Sequence, residues 1–298
     1  MYDTIVIPTD GSEHAVRAAE HGRYLADVFD AAVHVLNVVD VQSAGGLFDA
    51  GGVDEEFVTR LEAKGEHAVA AVEDVFDGWE ALTTAVRRGK PAETILDYAT
   101  EVDADVLTMG THGRTGLDHV VTGSVTERVL RHADVPVLTV RATERNRVDA
   151  YEEVLVPTDG SDAAAAAVAH AIAIARETGA RVHAVTVVDV ESVAIGPDYA
   201  SPGTLIESLK MAGTEATDDV AERVRAAGLS ATTAVQQGFP TQELLAYAEA
   251  NDVDLIAMGT HGRTGLGRVL LGSTTERIVR RADVPVLAVH GEVGERDE

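Results

Sequence analysis

The chain has 298 residues, no cysteine and a formal net charge of −26 at pH 7. The absence of cysteine excludes disulfide-stabilised scaffolds, zinc sites built on thiolates and cysteine nucleophiles, and it is compatible with a cytosolic protein. No apolar run approaches the length of a membrane span. The N-terminal stretch MYDTIVIPTD lacks the basic and apolar regions of a signal peptide. We therefore expect a cytoplasmic globular protein.

The acidic charge is spread over the whole chain. Residues 1–149 hold 13 basic against 27 acidic residues, and the remainder holds 11 against 23. Only three of the basic residues are lysines, and this composition resembles that of salt-accumulating halophiles; an acidic mesophilic protein is the alternative. At about 1 M salt the Debye length falls to roughly 3 Å, so charge repulsion within the chain is largely screened. The same charge argues against nucleic-acid binding, which needs a basic face.

The length is twice 149, and the sequence repeats at that spacing. Four pairs of identical residues stand 149 apart, and they are Asp10 and Asp159, Gly89 and Gly238, Gly110 and Gly259, and Pro136 and Pro285. A constant offset predicts that the register holds through each half without a gap. A period of this length is the size of a domain, not of a solenoid repeat. We therefore predict two tandem domains, residues 1–142 and 150–291, joined by a short polar linker.

Short apolar runs alternate with helical patterns along the first half. The predicted strands are Thr4–Ile7, Ala32–Val39, Ala81–Val86, Asp105–Met109 and Val135–Val140. The first predicted helix runs from Ser12, which is a suitable N-terminal cap, to about Asp30. The other predicted helices run from Asp54 to Asp77, from Pro91 to about Thr100, and from Gly123-Ser124 to His132. Strands that are continuously apolar and alternate with helices predict a five-stranded parallel sheet covered on both faces, an α/β fold of Rossmann-like type. The second half repeats this order.

Four sequence elements recur at the ends of the predicted strands in both halves. Pro-Thr-Asp-Gly-Ser follows the first strand, and Val-Val-Asp ends the second. Gly-Thr-His-Gly-Arg-Thr-Gly follows the fourth strand, and Gly-Ser opens the next helix. Open α/β sheets bind ligands at the carboxyl ends of their strands, where the strand order reverses. These elements are therefore predicted to meet in one binding crevice.

The glycine-rich loop and the helix that follows it indicate an anion site. Glycines let main-chain N–H groups approach a ligand, and the start of a helix, here at Ser124 and Ser273, favours negative charge. Asp10 and Asp159 are suitable acceptors for a ribose hydroxyl or an adenine amino group. Plainer interpretations stay open, with the serines as helix caps, the aspartates as turn residues and the glycines as ordinary loop residues.

The spacing Gly, two residues, Gly, nine residues, Gly-Ser occurs twice, at Gly110, Gly113 and Gly123-Ser124 and again 149 residues later. It resembles the motif of the ATP-binding members of the universal stress protein family, and the resemblance covers nearly the whole chain. It implies two tandem domains of the adenine nucleotide alpha hydrolase-like fold. It also implies ATP, or another adenine nucleotide, in both domains, with Mg²⁺ or Mn²⁺ held through the phosphates.

The resemblance assigns nucleotide binding to matching positions of the two halves. In the first half these are Pro8, Thr9, Asp10, Val38, Met109, Gly110, His112, Gly113, Arg114, Gly123, Ser124 and Val125. In the second half they are Pro157, Thr158, Asp159, Val187, Met258, Gly259, His261, Gly262, Arg263, Gly272, Ser273 and Thr274. The aspartates are expected to contact the nucleoside, and Val38 and Val187 the adenine through their main chain. For the histidines, a ligand contact through main-chain N–H groups and a role as ordinary loop residues both stay open. For Arg114 and Arg263 both a phosphate contact and a solvent-facing position stay open.

The function implied by the resemblance is stress adaptation by nucleotide binding and signalling. The chain has no Gly-x4-Gly-Lys-Ser/Thr, His-Glu-x2-His or Gly-x-Ser-x-Gly motif, which argues against a fast ATPase or kinase. Two alternatives stay open: slow ATP hydrolysis or phosphotransfer at the same site, and a nucleotide-free interaction module. The resemblance also implies an internal pseudo-dimer of the domains through their fifth strands, leaves a homodimer open, and names no protein partner.

The two halves differ most between the second strand and the helix that follows it. There Gln42–Gly52 stands against Val190–Gly203, and Asp118-His119 in the first glycine loop becomes Gly267-Arg268 in the second. We therefore expect the two sites to be unequal.

Overall fold

The computed structural model describes residues 1–41, 55–113, 123–143, 148, 150–189, 202–262 and 271–291. The chain divides into two compact units, Met1–Val148 and Asp149–Glu298. Each unit is an α/β domain in which five parallel strands carry helices, as the alternation of apolar runs predicts.

The first unit has the five strands that the sequence predicts. The strands are β1 (Thr4–Pro8), β2 (Ala32–Val39), β3 (Leu82–Arg88), β4 (Val106–Gly110) and β5 (Val137–Val140). Its helices are α1 (Glu13–Phe29), α2 (Glu55–Glu73), α3 (Pro91–Glu101) and α4 (Ser124–His132), with a short 3₁₀ turn at Asp74–Phe76. The fifth strand begins two residues later than expected, and the second helix ends in the 3₁₀ turn before Asp77.

The second unit repeats this architecture. Its strands are β6 (Glu153–Pro157), β7 (Arg181–Asp189), β8 (Ala231–Gly238), β9 (Leu255–Gly259) and β10 (Val286–Val289). Its helices are α5 (Asp162–Thr178), α6 (Pro202–Ala226), α7 (Pro240–Ala250) and α8 (Ser273–Arg281). None of the helices in the described part of the chain is both long enough and apolar enough to cross a membrane.

The strand order places the reversal point next to the first strand. In the first unit the order is β3-β2-β1-β4-β5, and in the second it is β8-β7-β6-β9-β10, with parallel pairing within each unit. The chain runs outward from β1 to β3 and then returns to the other side of β1 as β4. The crevice expected from the sequence therefore lies between the carboxyl ends of β1 and β4, and of β6 and β9.

The first helix of each unit begins as its sequence predicts. The Ser12 hydroxyl accepts a hydrogen bond from the Ala15 N–H, and Ser161 does the same for Ala164. Such caps satisfy a main-chain donor that the helix leaves unpaired. The turn between each first strand and its helix is thus fixed locally, next to the crevice.

The repeat is not free of gaps, which corrects the expectation of one constant register. A Cβ on Gly65 would touch Asn37 and Val86, and a Cβ on Gly213 would touch Thr186 and Val235. The strand residues of these contacts are 149 apart, but the two glycines are only 148 apart. Between the second strand and this glycine the second half therefore has one residue fewer than the first half. Between the glycine and the third strand it has one residue more. Each glycine lets its helix approach the second strand closely. Close packing therefore keeps the glycine opposite the same strand residues, although its spacing along the sequence has changed by one.

Replacing Thr108 by valine is expected to stabilise the first unit. Thr108 is fully buried in β4, its hydroxyl has no hydrogen-bond partner among the described residues, and its counterpart is Ala257. Valine keeps the shape and removes the unpaired hydroxyl, so the free energy of unfolding should rise by about 1 kcal/mol. Fluorescence of Trp79, the single tryptophan, reports denaturant unfolding of this unit.

The matched control is Thr126→Val. The Thr126 hydroxyl donates to the Gly110 carbonyl at 2.8 Å, so the same change should here lower the free energy of unfolding by about 1 kcal/mol. A loss of stability in Thr108→Val as large as in Thr126→Val would show that the Thr108 hydroxyl is bonded.

Replacing Gly259 by alanine is expected to destabilise the second unit by about 1–3 kcal/mol. A Cβ there would lie 2.7 Å from the carbonyl carbon and 2.8 Å from the oxygen of Ala163, which are main-chain atoms of α5. Calorimetry can compare this variant with Gly203→Ala, where a Cβ meets nothing within 4 Å. Equal stability of the two variants would contradict the close packing of the strand end against α5.

Candidate functional site

The site in each unit is built where the first and fourth strands end. Asp10 follows β1 in a turn in which the Ser12 N–H donates to Asp10 Oδ1 at 3.0 Å. Asp159 has the same bond from Ser161, also at 3.0 Å. One carboxylate oxygen of each aspartate thus holds the turn, as the interpretation of these aspartates as turn residues predicts. The bond fixes the orientation of the carboxylate beside the crevice.

The other carboxylate oxygen faces the glycine loop. A Cβ on Gly113 would lie 2.6 Å from Asp10 Oδ2, and a Cβ on Gly262 would lie 2.8 Å from Asp159 Oδ2. Real Cβ atoms do not approach an oxygen this closely. Glycine therefore lets the loop after the fourth strand lie against the carboxylate after the first without moving it, and the two predicted elements do meet.

The loop is closed by hydrogen bonds between its two ends. The Gly123 N–H donates to the Thr111 carbonyl at 2.8 Å, and the Gly272 N–H donates to Thr260 at 2.7 Å. The Thr126 and Thr275 hydroxyls each donate to the carbonyl of the first loop glycine, at 2.8 Å. Residues 114–122 and 263–270, between the ends, lie outside the described residues. Sequence reasoning missed both threonines, although each stands two residues after the Gly-Ser pair.

The helix that follows the loop begins without a side-chain cap. Gly123 and Gly272 occupy the cap positions, so Ser124 and Ser273 are the first helical residues and not caps. This excludes the interpretation of the serines as simple N-caps. Within the described part of the chain no side chain caps this helix start, and the helix dipole adds positive potential there. The end of the crevice is thus suited to an anion.

The second unit contains a cavity of about 500 Å³ at this position. It is lined by 11 of the 12 residues predicted for this half, which are Pro157, Thr158, Asp159, Val187, Met258, Gly259, His261, Gly262, Gly272, Ser273 and Thr274. The twelfth, Arg263, lies outside the described residues. A volume of roughly 300–1,000 Å³ is typical of small-molecule sites. Residues from four separate segments of the sequence therefore converge on one cavity.

The wall opposite the loop comes from residues that the sequence pattern did not indicate. It is formed by Leu209, Ala212, Gly213 and Ala216 of α6 and by Pro240 and Leu244 of α7. Val188 and Asp189, which belong to the predicted Val-Val-Asp element at the end of β7, line the cavity as well. The cavity is thus apolar on the side of the helices and rich in main-chain and hydroxyl groups on the side of the loop. In the sequence, these helical residues cannot be told apart from ordinary core residues.

In the first unit the predicted residues occupy the equivalent places. Pro8 ends β1 and pairs with Leu36, Val38 lies near the end of β2, and Met109 precedes Gly110 at the end of β4. Thr9 is buried beside them and its N–H donates to the Leu36 carbonyl at 2.8 Å. Val125 lies in the first turn of α4. Arg114 lies outside the described residues, as do the loop positions Asp118-His119 and Gly267-Arg268 and nearly all of the two segments that differ most.

The loop histidines are held by other protein groups. His112 Nδ1 lies 3.0 Å from the Thr111 hydroxyl, and His261 Nδ1 lies 2.9 Å from that of Thr260. Each ring also lies near a second histidine ring, His14 at 5.0 Å and His290 at 6.0 Å between centroids. Burial lowers the pKa of His14, and the neighbouring His112 and Arg141 lower it further against the opposing effect of Glu13 and Asp10. His14 is therefore neutral at pH 7.

The described residues contain no group of three histidine, aspartate or glutamate side chains placed to hold a metal ion.

Comparison with known proteins identifies the family. The profile described as the universal stress protein family matches residues 1–141 and 150–290. A universal stress protein of Mycolicibacterium smegmatis is 30% identical over 293 residues, covering 93% of this chain and 92% of that protein. A universal stress protein of Methanocaldococcus jannaschii is 42% identical over 145 residues, covering 49% of this chain and 85% of that protein.

The fold is shared with a solved member of the family. The crystal structure of a universal stress protein from Archaeoglobus fulgidus superposes with a TM-score of 0.70 at 22% identity, covering 97% of this chain and 99% of that one. The matched family profile covers one range in each of the two units. The chain therefore belongs to the universal stress protein family, as a member with two tandem domains.

Proposed function

We propose that both domains bind an adenine nucleotide, ATP first of all, and that the protein acts in stress adaptation by binding and signalling rather than by rapid turnover. The observation that carries this proposal is the uncapped helix start after a glycine loop that folds back onto an aspartate. The ATP-binding type of the family is distinguished by the same glycine motif, which this chain has twice.

The phosphate end of the site is supplied by main-chain groups. The first turn of α8 has no side-chain cap, and Gly259, Gly262 and Gly272 leave no Cβ between the loop and a ligand. Helix starts and glycine-rich loops of this kind bind phosphates through N–H groups. Mg²⁺ or Mn²⁺ is expected to join through the phosphates, because such ions are often bound by substrate phosphates and few protein ligands.

The nucleoside end is supplied by Asp159 and the apolar wall. An aspartate beside the proposed phosphate loop is suited to a ribose, because its carboxylate accepts hydrogen bonds from hydroxyl groups. Pro157, Val187 and Leu244 line the same cavity and offer apolar surface to a planar base. This division into an anion end and an apolar end supports a nucleotide rather than a simple inorganic anion.

Only the family resemblance indicates how the protein assembles. Pairing of the two domains through their fifth strands and formation of a homodimer stay predictions that size and cross-linking measurements can test. The protein partner that would read the nucleotide state is not defined by the site.

Two ATP molecules are expected to bind each chain, and valine at the cap glycine should remove them one at a time. A Cβ on Gly272 would lie 3.1 Å from the Thr260 oxygen, and the branches of valine would displace the loop from the helix start. We expect Gly272→Val and Gly123→Val each to lower the stoichiometry in native mass spectrometry from two to one. The double variant should bind none.

The control is Gly203→Ala, which should bind two ATP because a Cβ there meets nothing within 4 Å. ATP at about 100 times its Kd should also stabilise the unchanged protein by roughly 2.7 kcal/mol. ADP formed within hours would favour the slow enzyme. Absence of bound nucleotide together with absence of stabilisation would favour the interaction module.

ATP affinity is expected to hold or improve as KCl rises to molar concentration. The chain carries a net charge of −26, so long-range attraction cannot draw in an anion, and short N–H contacts are little affected by screening. Titration calorimetry at low and molar KCl measures this. A steep loss of affinity with salt would show that long-range cationic attraction drives binding.

A further inference from the structure

A second histidine ring lies near the loop histidine in each domain, but it comes from a different part of the fold. In the first domain this second histidine is His14, in the first turn of α1, and in the second it is His290, which follows β10. At the spacing of 149, His14 corresponds to Ala163 and His290 to Arg141. The side chains that pack near the two glycine loops therefore differ chemically between the domains.

His14 joins two segments that flank the first loop. Its Nδ1 accepts a hydrogen bond from the Ala142 N–H at 3.0 Å, just after β5. A main-chain N–H can only donate, so Nδ1 must be unprotonated and the imidazole neutral. In the second domain Gly291 stands at the place of Ala142, and a Cβ on it would lie 2.9 Å from the Cα of Ala163. There the two segments meet directly, with no titratable side chain between them.

The same residue supports the start of the glycine loop. A Cβ on Gly110 would lie 2.8 Å from the main-chain carbonyl carbon of His14, so the strand end rests on the first turn of α1. The Ser12 hydroxyl, two residues earlier, lies 3.5 Å from the His112 carbonyl. A movement of this turn is therefore passed to both Gly110 and His112.

We propose that His14 is a positioning residue whose protonation loosens the first glycine loop and so makes ligand binding by the first domain dependent on pH. The proposal rests on the proposed function. Protonation places a hydrogen on Nδ1, which ends the bond from Ala142. It also adds positive charge beside His112 and Arg141, and the carboxylates of Asp10 and Glu13 offset this only in part.

The direction of the effect follows from the surroundings of the group. Burial, His112 and Arg141 hold the pKa of His14 below its ordinary value of 6.5. An unfolded chain therefore takes up this proton before the folded domain does. The stabilisation given by neutral His14 is complete above about pH 6.5 and is lost as pH falls towards the lower folded-state pKa.

The test isolates the first site in the full chain with Gly272→Val and measures ATP affinity by calorimetry at about pH 7.5 and at intervals down to about pH 4.5. We expect affinity to fall more steeply with pH when His14 is present than in the same protein with His14→Asn, by about twofold or more at the lowest pH. Asparagine places an oxygen acceptor near the position of Nδ1 but does not titrate. At the higher pH both proteins should bind equally. ATP's own protonation affects both and cancels in the comparison.

The outcomes separate the inference from the function on which it rests. An equal loss of affinity with and without His14, or a gain at low pH, would overturn the inference. Gly272→Val leaves only the first site and Gly123→Val only the second. If Gly123→Val binds ATP and Gly272→Val binds none at any pH, the first site does not bind ATP, which would overturn the inference as well. Failure of the unchanged protein to bind ATP would overturn the proposed function. Trp79 fluorescence at each pH verifies that the first domain of every variant is folded.

Discussion

The structure of each domain depends on the close contact between the end of the fourth strand and the first turn of the first helix. At Gly110 and Gly259 the main chain lies so near the helix backbone that a Cβ would come within 2.7–2.8 Å of it. This contact directs the loop back across the reversal point of the sheet. The loop then meets the aspartate after the first strand, and the closing hydrogen bonds present the next helix start to the crevice.

The proposed recognition of an anion by main-chain groups is compatible with the charge of the protein. A chain with a net charge of −26 would repel a polyphosphate if binding depended on its overall field. N–H groups at an uncapped helix start act over a few ångströms and carry no net charge. The acidic charge of the chain is therefore no obstacle to the proposed anion site.

Duplication has kept the strands in register while their surroundings diverged. The helix over the second strand has slipped by one residue, because Gly65 and Gly213 must each face that strand. A partly buried histidine pair lies at both loops, but its second member comes from a helix in one domain and from a strand end in the other. The two domains thus keep the same main-chain cradle and support it with different side chains.

The sequence by itself determined the fold class, the duplication and the residues that meet in the crevice. Apolar runs and a repeated glycine spacing depend on local chemistry, and for that reason they predicted the strands, the Ser12 cap and the loop that approaches Asp10. Tertiary structure decided what depends on contacts distant in the sequence. Leu209 and Leu244 line the cavity only because their helices pack across the second strand, and Ser124 ceases to be a cap only because Gly123 is bound to Thr111. The link between His14 and Ala142 spans 128 residues, and no pattern along the chain indicates it.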